Sequence, residues 1–122
     1  MKENTIRNKT FDFALRIVKL SRFLIDEKNE YILSKQILRS GTSIGANIEE
    51  TIWGGTEKEF LHKLNISYRE ARETSYWLRL LQWGDYISQE QFISLENDCE
   101  EILKIIGSIQ STMKKKRIAN DS

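Results

Sequence analysis

The chain has 122 residues, of which 39% are hydrophobic, 30% are charged and none is proline. This length allows one domain with a sizeable core, and the absence of proline favours long helices over a turn-rich sheet protein. No apolar run approaches the roughly 18 residues of a membrane span, the first residues lack the apolar core of a signal peptide, and a single cysteine excludes a disulfide framework. We therefore expect one all-α domain over residues 1–122, located in the cytoplasm and without membrane contact.

The charge is unevenly distributed along the chain. Residues 1–113 carry 15 basic and 17 acidic side chains, a net charge of −2. A basic run then follows: Lys114, Lys115, Lys116 and Arg117. Domains that bind nucleic acid through their net charge are usually basic throughout. The sequence instead indicates a near-neutral body and a polar, basic tail over 114–122, which we expect to be frayed.

The apolar spacing predicts a first helix over 10–25. Its expected inner face carries apolar residues at intervals of three and four, and a second apolar set widens that face. The first set is Phe11, Ala14, Leu15 and Val18, and the second set is Ile17, Leu20 and Leu24.

A second helix is predicted over 34–53, with Ser34 as its N-terminal cap. It contains a packing motif of glycines, isoleucines and one asparagine: Gly41, Ile44, Gly45, Asn47 and Ile48. Each glycine costs about 1 kcal/mol relative to alanine inside a helix, so two glycines four residues apart indicate that another backbone approaches closely. A loop is the alternative interpretation of this stretch.

Two further helices are predicted over 56–83 and 88–113, and each begins with a capping box, Thr56–Glu59 and Ser88–Gln91. Both carry an apolar seam that alternates intervals of four and three. The seams are Phe60, Leu64, Ser67, Ala71, Thr74, Leu78 and Leu81, and then Phe92, Leu95, Cys99, Ile102, Ile106, Ile109 and Met113. We expect the small middle of the third seam to pack against the glycines of the second helix. Four such helices with short connections predict an antiparallel up-down-up-down four-helix bundle.

Two stretches of this pattern resemble a known family. Residues 31–50 read Tyr-Ile-Leu-Ser-Lys-Gln-Ile-Leu-Arg-Ser-Gly-Thr-Ser-Ile-Gly-Ala-Asn-Ile-Glu-Glu, and residues 58–67 read Lys-Glu-Phe-Leu-His-Lys-Leu-Asn-Ile-Ser. Together with residues 70–78 they resemble the 23S rRNA intervening-sequence proteins of bacteria, and the resemblance covers about residues 11–113.

This resemblance implies a four-helix bundle that assembles into a ring-like homopentamer. It also implies kinship with the accessory protein of diversity-generating retroelements, which binds nucleic acid and a reverse transcriptase through a basic surface. The predicted helices of the present chain are not net basic, and in this respect the chain departs from that relative.

The sequence offers only incomplete patterns for a metal or a nucleophile. Glu59 and His62 match the Glu-x-x-His spacing of di-iron bundles, but both are expected to point away from the core and no second histidine exists. Cys99 lies within a core seam without a base nearby, which indicates a small hydrophobic residue. Gly54 and Gly55 lack the lysine of a phosphate-binding loop. We expect no metal, no cofactor and no catalytic residue.

Two pairs of carboxylates match the helical motifs of magnesium-dependent hydrolases, Glu70 with Glu73 and Asp98 with Glu101. The heptad positions place Glu73 and Glu101 outward and the other two on the flanks of their helices. A solvated face with surface ion pairs, such as one between Arg69 and Glu73, is therefore favoured over an active site.

The predicted core does not explain two features of the third helix. Apolar and aromatic side chains lie off its seam, and they indicate either broad burial or a subunit interface: Tyr76, Trp77, Leu80 and Trp83. Three arginines share one side of the helix and, with the basic tail, are candidate nucleic-acid contacts: Arg69, Arg72 and Arg79. The interleaved Glu70 and Glu73 favour scattered surface charge as the alternative.

We therefore expect a non-enzymatic, oligomeric bundle, a pentamer on the resemblance, that binds RNA, DNA or a nucleoprotein through a surface formed on assembly. A structural protein–protein adaptor without nucleic-acid binding is the alternative. The salt dependence of the binding affinity distinguishes the two hypotheses, because phosphate contacts release counterions and adaptor contacts mostly do not.

Overall fold

The computed structural model describes residues 2–121, with side chains described from Thr5 to Asn120. The elements are α1 (Lys2–Lys28), α2 (Leu33–Ile52), α3 (Glu57–Trp83) and α4 (Gln89–Asp121). Each helix packs against its neighbours in the chain and α1 closes on α4, while no substantial contact crosses either diagonal within the described residues. This arrangement confirms the all-α, four-helix bundle. Within the same residues, no helix is long and apolar enough to cross a membrane.

The apolar seams of α3 and α4 face the core as the sequence predicts. All of their interior members are buried, from Leu64 to Leu81 on α3 and from Leu95 to Ile109 on α4. The terminal members Phe60, Phe92 and Met113 are partly buried and pack against the core.

On α1 the first predicted apolar set was wrong and the second set is buried as expected. Phe11 and Leu15 of the first set are 60% and 46% exposed. The buried face carries the whole second set together with Ile6 and Phe13. Both apolar sets fit a helical spacing, so the sequence alone did not fix which of them faces the core. The helix also begins at Lys2 rather than at residue 10 and continues to Lys28.

The glycines of α2 allow close packing on α1, not on α3 as predicted. A Cβ added at Gly41 would lie 2.8 Å from side-chain atoms of Ile17, and one at Gly45 would lie 3.3 Å from the carbonyl oxygen of Thr10. Neighbouring helical positions differ by about 100° around the axis. Turning Thr10 and Ile17 toward α2 therefore turns Phe11 away from the core.

The small middle of the α3 seam does pack on α2, but through other atoms. The hydroxyl of Ser67 donates a hydrogen bond to the carbonyl oxygen of Ile44 at 2.9 Å. The hydroxyl of Thr74 donates to the hydroxyl of Ser40, also at 2.9 Å. Asn47 is half-buried, and its side-chain amide donates to the carbonyl oxygen of Ser43 in its own helix at 2.8 Å. The packing of α2 on α3 is confirmed, with Ser40 and Ile44 in place of the glycines.

The start of α2 is held by Glu30, so Ser34 is not the cap that the sequence predicted. Ser34 lies inside the helix, and its backbone amide donates to one Glu30 carboxylate oxygen at 2.8 Å. The backbone amide of Ile32 donates to the other oxygen at 3.3 Å. The Ser34 hydroxyl donates to the carbonyl oxygen of Glu30 at 2.9 Å, which completes a compact α1–α2 connection.

The predicted capping box is confirmed in full at the start of α4 and in its Thr56 half at the start of α3. The Thr56 hydroxyl accepts a hydrogen bond from the backbone amide of Glu59 at 3.1 Å. Ser88 and Gln91 form a reciprocal capping box, with distances of 2.8 and 3.1 Å.

The basic tail is helical rather than frayed. α4 continues through residues 114–117 to Asp121, because no glycine or proline interrupts the helix after Gly107 and lysine and arginine are good helix formers. Its cations are therefore fixed at helical positions on the last turns of α4.

Candidate nucleic-acid interface

The side of α3 that points away from the core carries two columns of residues with a seven-residue repeat. One column is His62, Arg69, Tyr76 and Trp83, and the other is Lys58, Asn65, Arg72 and Arg79. All eight side chains are exposed and none of them is a carboxylate. We call these two columns the α3 outward face. The sequence analysis did not identify Lys58 as part of this face, although Lys58 lies seven residues before Asn65 and so extends the same column.

The two acidic residues interleaved among the arginines turn toward α2. Arg39 of α2 donates a hydrogen bond to Glu70 with its Nη1 atom at 3.2 Å, and its Nη2 atom pairs with Glu73. Trp77 also donates to the same Glu73 carboxylate at 2.9 Å. The predicted pairing of Arg69 with Glu73 was therefore wrong. The interleaved acids do not neutralise the α3 outward face, which removes the main argument for scattered charge.

The remaining ion pairs also lie away from this face. Among the described side chains they join α1 to α2, α1 to α4 and α2 to α3, and they are Arg7–Glu49, Lys9–Glu101, Arg16–Asp98 and Lys63–Glu50. Neither Arg69 nor Arg72 joins an ion pair within that set. Their guanidinium groups are exposed to solvent.

These pairs also separate the carboxylates that resembled a hydrolase site. Glu70 and Glu73 face α2, whereas Asp98 and Glu101 face cations of α1. The two pairs thus lie on different sides of the bundle and do not converge. No group of three or more histidine, cysteine, aspartate or glutamate side chains within the described residues could hold a metal ion.

Arg79 differs from the other two arginines because it has local partners. Its guanidinium carbon lies 5.8 Å from the centre of the Tyr76 ring. It also lies near Glu96 of α4, whose carboxylate accepts a hydrogen bond from Ser75 at 2.8 Å. Burial raises the pKa of Glu96, and the Ser75 hydrogen bond and the charge of Arg79 oppose that rise. Arg69 and Arg72 are therefore the less compensated cations of the face.

The aromatic cluster divides into an exposed part and a buried part. Tyr76, Leu80 and Trp83 are 47%, 38% and 82% exposed. Trp77 is half-buried against the core and meets Tyr76 edge-to-face, with ring centres 5.2 Å apart. Broad burial thus explains Trp77, and the other three remain available for an interface.

The model of the 23S rRNA-intervening sequence protein family matches residues 2–108 of this helical chain. The chain belongs to this family. A similar solved structure is a protein of unknown function of the S23 ribosomal protein family from Bacteroides thetaiotaomicron VPI-5482, determined at 1.70 Å. It is 50% identical over 91% of this chain and 99% of its own, with a TM-score of 0.89. No curated protein matches the chain.

In this family member the cysteine has the surroundings of a core residue. Cys99 is buried on α4, and its sulfur donates to the carbonyl oxygen of Ala71 at 3.2 Å. Burial, together with neighbouring carboxylates, raises the pKa of its thiol to about 12. A thiol that stays protonated at neutral pH is a poor nucleophile.

Proposed function

We propose that this protein is a non-enzymatic, oligomeric bundle of the bacterial cytoplasm that binds nucleic acid, or a nucleoprotein, through the basic and polar residues of the α3 outward face and the C-terminal cations. The observation that carries the proposal is the separation of charge on α3. Arg69 and Arg72 stand outward without an acidic partner, while Glu70 and Glu73 are held by Arg39 on the α2 side. Because guanidinium groups present planar arrays of donors, arginines displayed in this way suit phosphate recognition.

Local charge supports this proposal more than net charge does. Residues 1–113 are net −2, and at that value a uniformly charged body would not attract phosphate. The described ion pairs, however, engage six acidic side chains, two each on α2, α3 and α4. The α3 outward face and the last turns of α4 keep their cations, which concentrates positive charge there.

Assembly would bring several copies of this surface together. The exposed part of the aromatic cluster, Tyr76, Leu80 and Trp83, lies near the end of α3, whereas Arg69 and Arg72 lie nearer its middle. We assign the aromatic end to a subunit contact, since aromatic residues are enriched in interfaces. The basic middle then stays free, and a ring, pentameric on the family resemblance, repeats it by symmetry.

The second candidate function is a protein–protein adaptor. The observation that favours it is the apolar stripe left outside the core on α1, where Phe11 and Leu15 are about half exposed or more. An adaptor that acts through this stripe needs neither Arg69 nor Arg72, so variants of the two arginines separate the candidates.

The experiment is a titration of labelled RNA and DNA duplexes followed by fluorescence anisotropy, at about 50 mM and about 200 mM salt. We expect weak, sequence-independent binding that fades at the higher salt. The double variant Arg69→Gln, Arg72→Gln should bind about tenfold more weakly, because it removes two phosphate contacts. Lys19→Gln with Arg22→Gln on α1 removes the same charge elsewhere and should bind like the parent. Absence of binding at low salt would favour the adaptor.

A further inference from the structure

A depression between the start of α3 and the last turns of α4 is lined by basic, amide and apolar side chains and one histidine. It encloses about 390 Å³ and is lined by Lys58, Leu61, His62, Asn65, Gln110, Lys114 and Arg117. We call it the α3–α4 groove, and we infer that it binds the phosphate backbone of a single nucleic-acid strand. This inference rests on the proposed function and adds a site that is complete within one subunit.

The charges of the groove converge from two helices. Lys58 comes from α3 and Lys114 and Arg117 come from α4, and no carboxylate is among the residues that line it. Glu57 lines a neighbouring depression, which shares Lys58, Leu61 and Arg117 with the groove. Positive groups around one concave surface focus the field and attract an anion.

A side-chain hydrogen bond fixes the two walls relative to each other. The amide of Gln110 donates to the carbonyl oxygen of Asn65 at 2.7 Å, and it thereby joins α4 to α3 beside the cations. The amide nitrogen of Asn65 keeps its own hydrogens, which can bind a phosphate or sugar oxygen. Leu61 adds an apolar surface for a sugar or base.

The groove is large enough for about one nucleotide unit. Its volume of about 390 Å³ is near the lower end of the range for small-molecule sites. Single-stranded nucleic acid is commonly held by a positively charged groove that follows its backbone. Asn65 and His62 belong to the α3 outward face as well, so a strand that leaves the groove continues along Arg69 and Arg72.

His62 is the only histidine of the chain, so its ring protons give two resolved NMR signals inside the groove. The experiment titrates the full protein with the hexanucleotide dT6 at about 50 mM salt and follows these signals together with the affinity. We expect both His62 signals to shift with dT6. The variant Lys58→Gln, Arg117→Gln should abolish the shift, weaken dT6 binding about tenfold and lower the salt slope by about 1.4.

Lys19→Gln with Arg22→Gln is the matched control, because it also removes one lysine and one arginine, both exposed, from α1. It should leave the His62 shift and the affinity unchanged. If duplexes bind as proposed but dT6 leaves the His62 signals unmoved, the groove inference is overturned and the proposed function stands. Equal losses in the groove variant and the control also overturn the inference. A parent protein that binds neither duplex nor dT6 overturns both.

Discussion

Arg39 of α2 and Glu70 of α3 form a hydrogen-bonded ion pair at 3.2 Å, in which the same guanidinium also holds Glu73. This pairing turns two acids of α3 away from the arginines beside them in the sequence. Exposed ion pairs contribute only about 0.2–1 kcal/mol to stability. The pairing therefore matters more for the charge of the surface than for the fold.

Releasing these acids should weaken nucleic-acid binding. In Arg39→Gln, Glu70 and Glu73 lose their cation and repel phosphate near Arg69 and Arg72, so we expect a several-fold loss of affinity with a nearly unchanged melting temperature. The triple variant Arg39→Gln, Glu70→Gln, Glu73→Gln should recover the parent affinity. A triple variant that binds as weakly as Arg39→Gln would instead make Arg39 a direct phosphate contact.

The contact of Gly45 with α1 predicts intolerance of a larger side chain. Because a Cβ at Gly45 would already lie 3.3 Å from the backbone of Thr10, Gly45→Leu should destabilise the fold by about 3 kcal/mol through overpacking. Ala46→Leu is the control, since Ala46 is exposed on the same helix and should change stability by less than about 0.5 kcal/mol. Urea unfolding measures both. Equal stability of the two variants would contradict the close α1–α2 packing.

Glu30 makes the α1–α2 connection sensitive to acid. Burial alone would raise the pKa of Glu30, but hydrogen bonds from the amides of Leu33, Ser34 and Ile32 outweigh it, and the net pKa is lowered. A carboxyl group with a lowered folded pKa stabilises the fold fully above its unfolded pKa, and this stabilisation is lost as the pH falls through the folded value.

Removing the Glu30 charge should therefore matter at neutral pH and not in acid. Glu30→Gln should cost about 1–2 kcal/mol at neutral pH, because it weakens the hydrogen bonds at the start of α2. The difference from the parent should shrink well below pH 4, where the parent carboxyl becomes protonated. Urea unfolding at both pH values is the measurement, and Glu27→Gln, which changes an exposed acid at the end of α1, is the control. A difference that does not depend on pH would contradict the role of the carboxylate.

The exposed aromatic end of α3 predicts self-association. Light scattering of the parent should give a mass near five times 14.4 kDa at tens of micromolar. Trp83→Asp should shift the protein toward the monomer, because a buried unpaired charge opposes an interface. Trp53→Asp is a matched control, since Trp53 is equally exposed at the opposite end of the bundle. A parent that is a clean monomer would refute the ring. Dissociation by Trp53→Asp but not by Trp83→Asp would place the interface at the opposite end of the bundle.

The sequence predicted α3 and α4 well because each carries a single apolar seam. On α1 it was right for only one of two apolar sets that fit a helix, because the contacts of Thr10 and Ile17 with the α2 glycines decide which set is buried. It also assigned the glycines to the wrong neighbour, since periodicity defines a helical face but not which of two adjacent helices covers it.

The candidate site was predictable in part. The spacing of Arg69, Arg72 and Arg79 places them on one side of α3, as the structure confirms. The direction of Glu70 and Glu73 was not predictable, because their partner Arg39 is about 30 residues away in another helix. The α3–α4 groove was missed because it requires the basic tail to be helical.

The most direct test of nucleic-acid binding compares the salt dependence of the full chain with that of a chain ending at Met113. Each neutralised phosphate contributes about 0.9 to the slope of log affinity against log salt on duplex DNA. The shorter chain keeps the described core but loses the four cations of residues 114–117. We predict measurable duplex binding by the full chain at about 50 mM salt, and a slope shallower by at least about 0.9 for the shorter chain. Identical slopes for the two chains, or no binding by the full chain at that salt, would contradict the account.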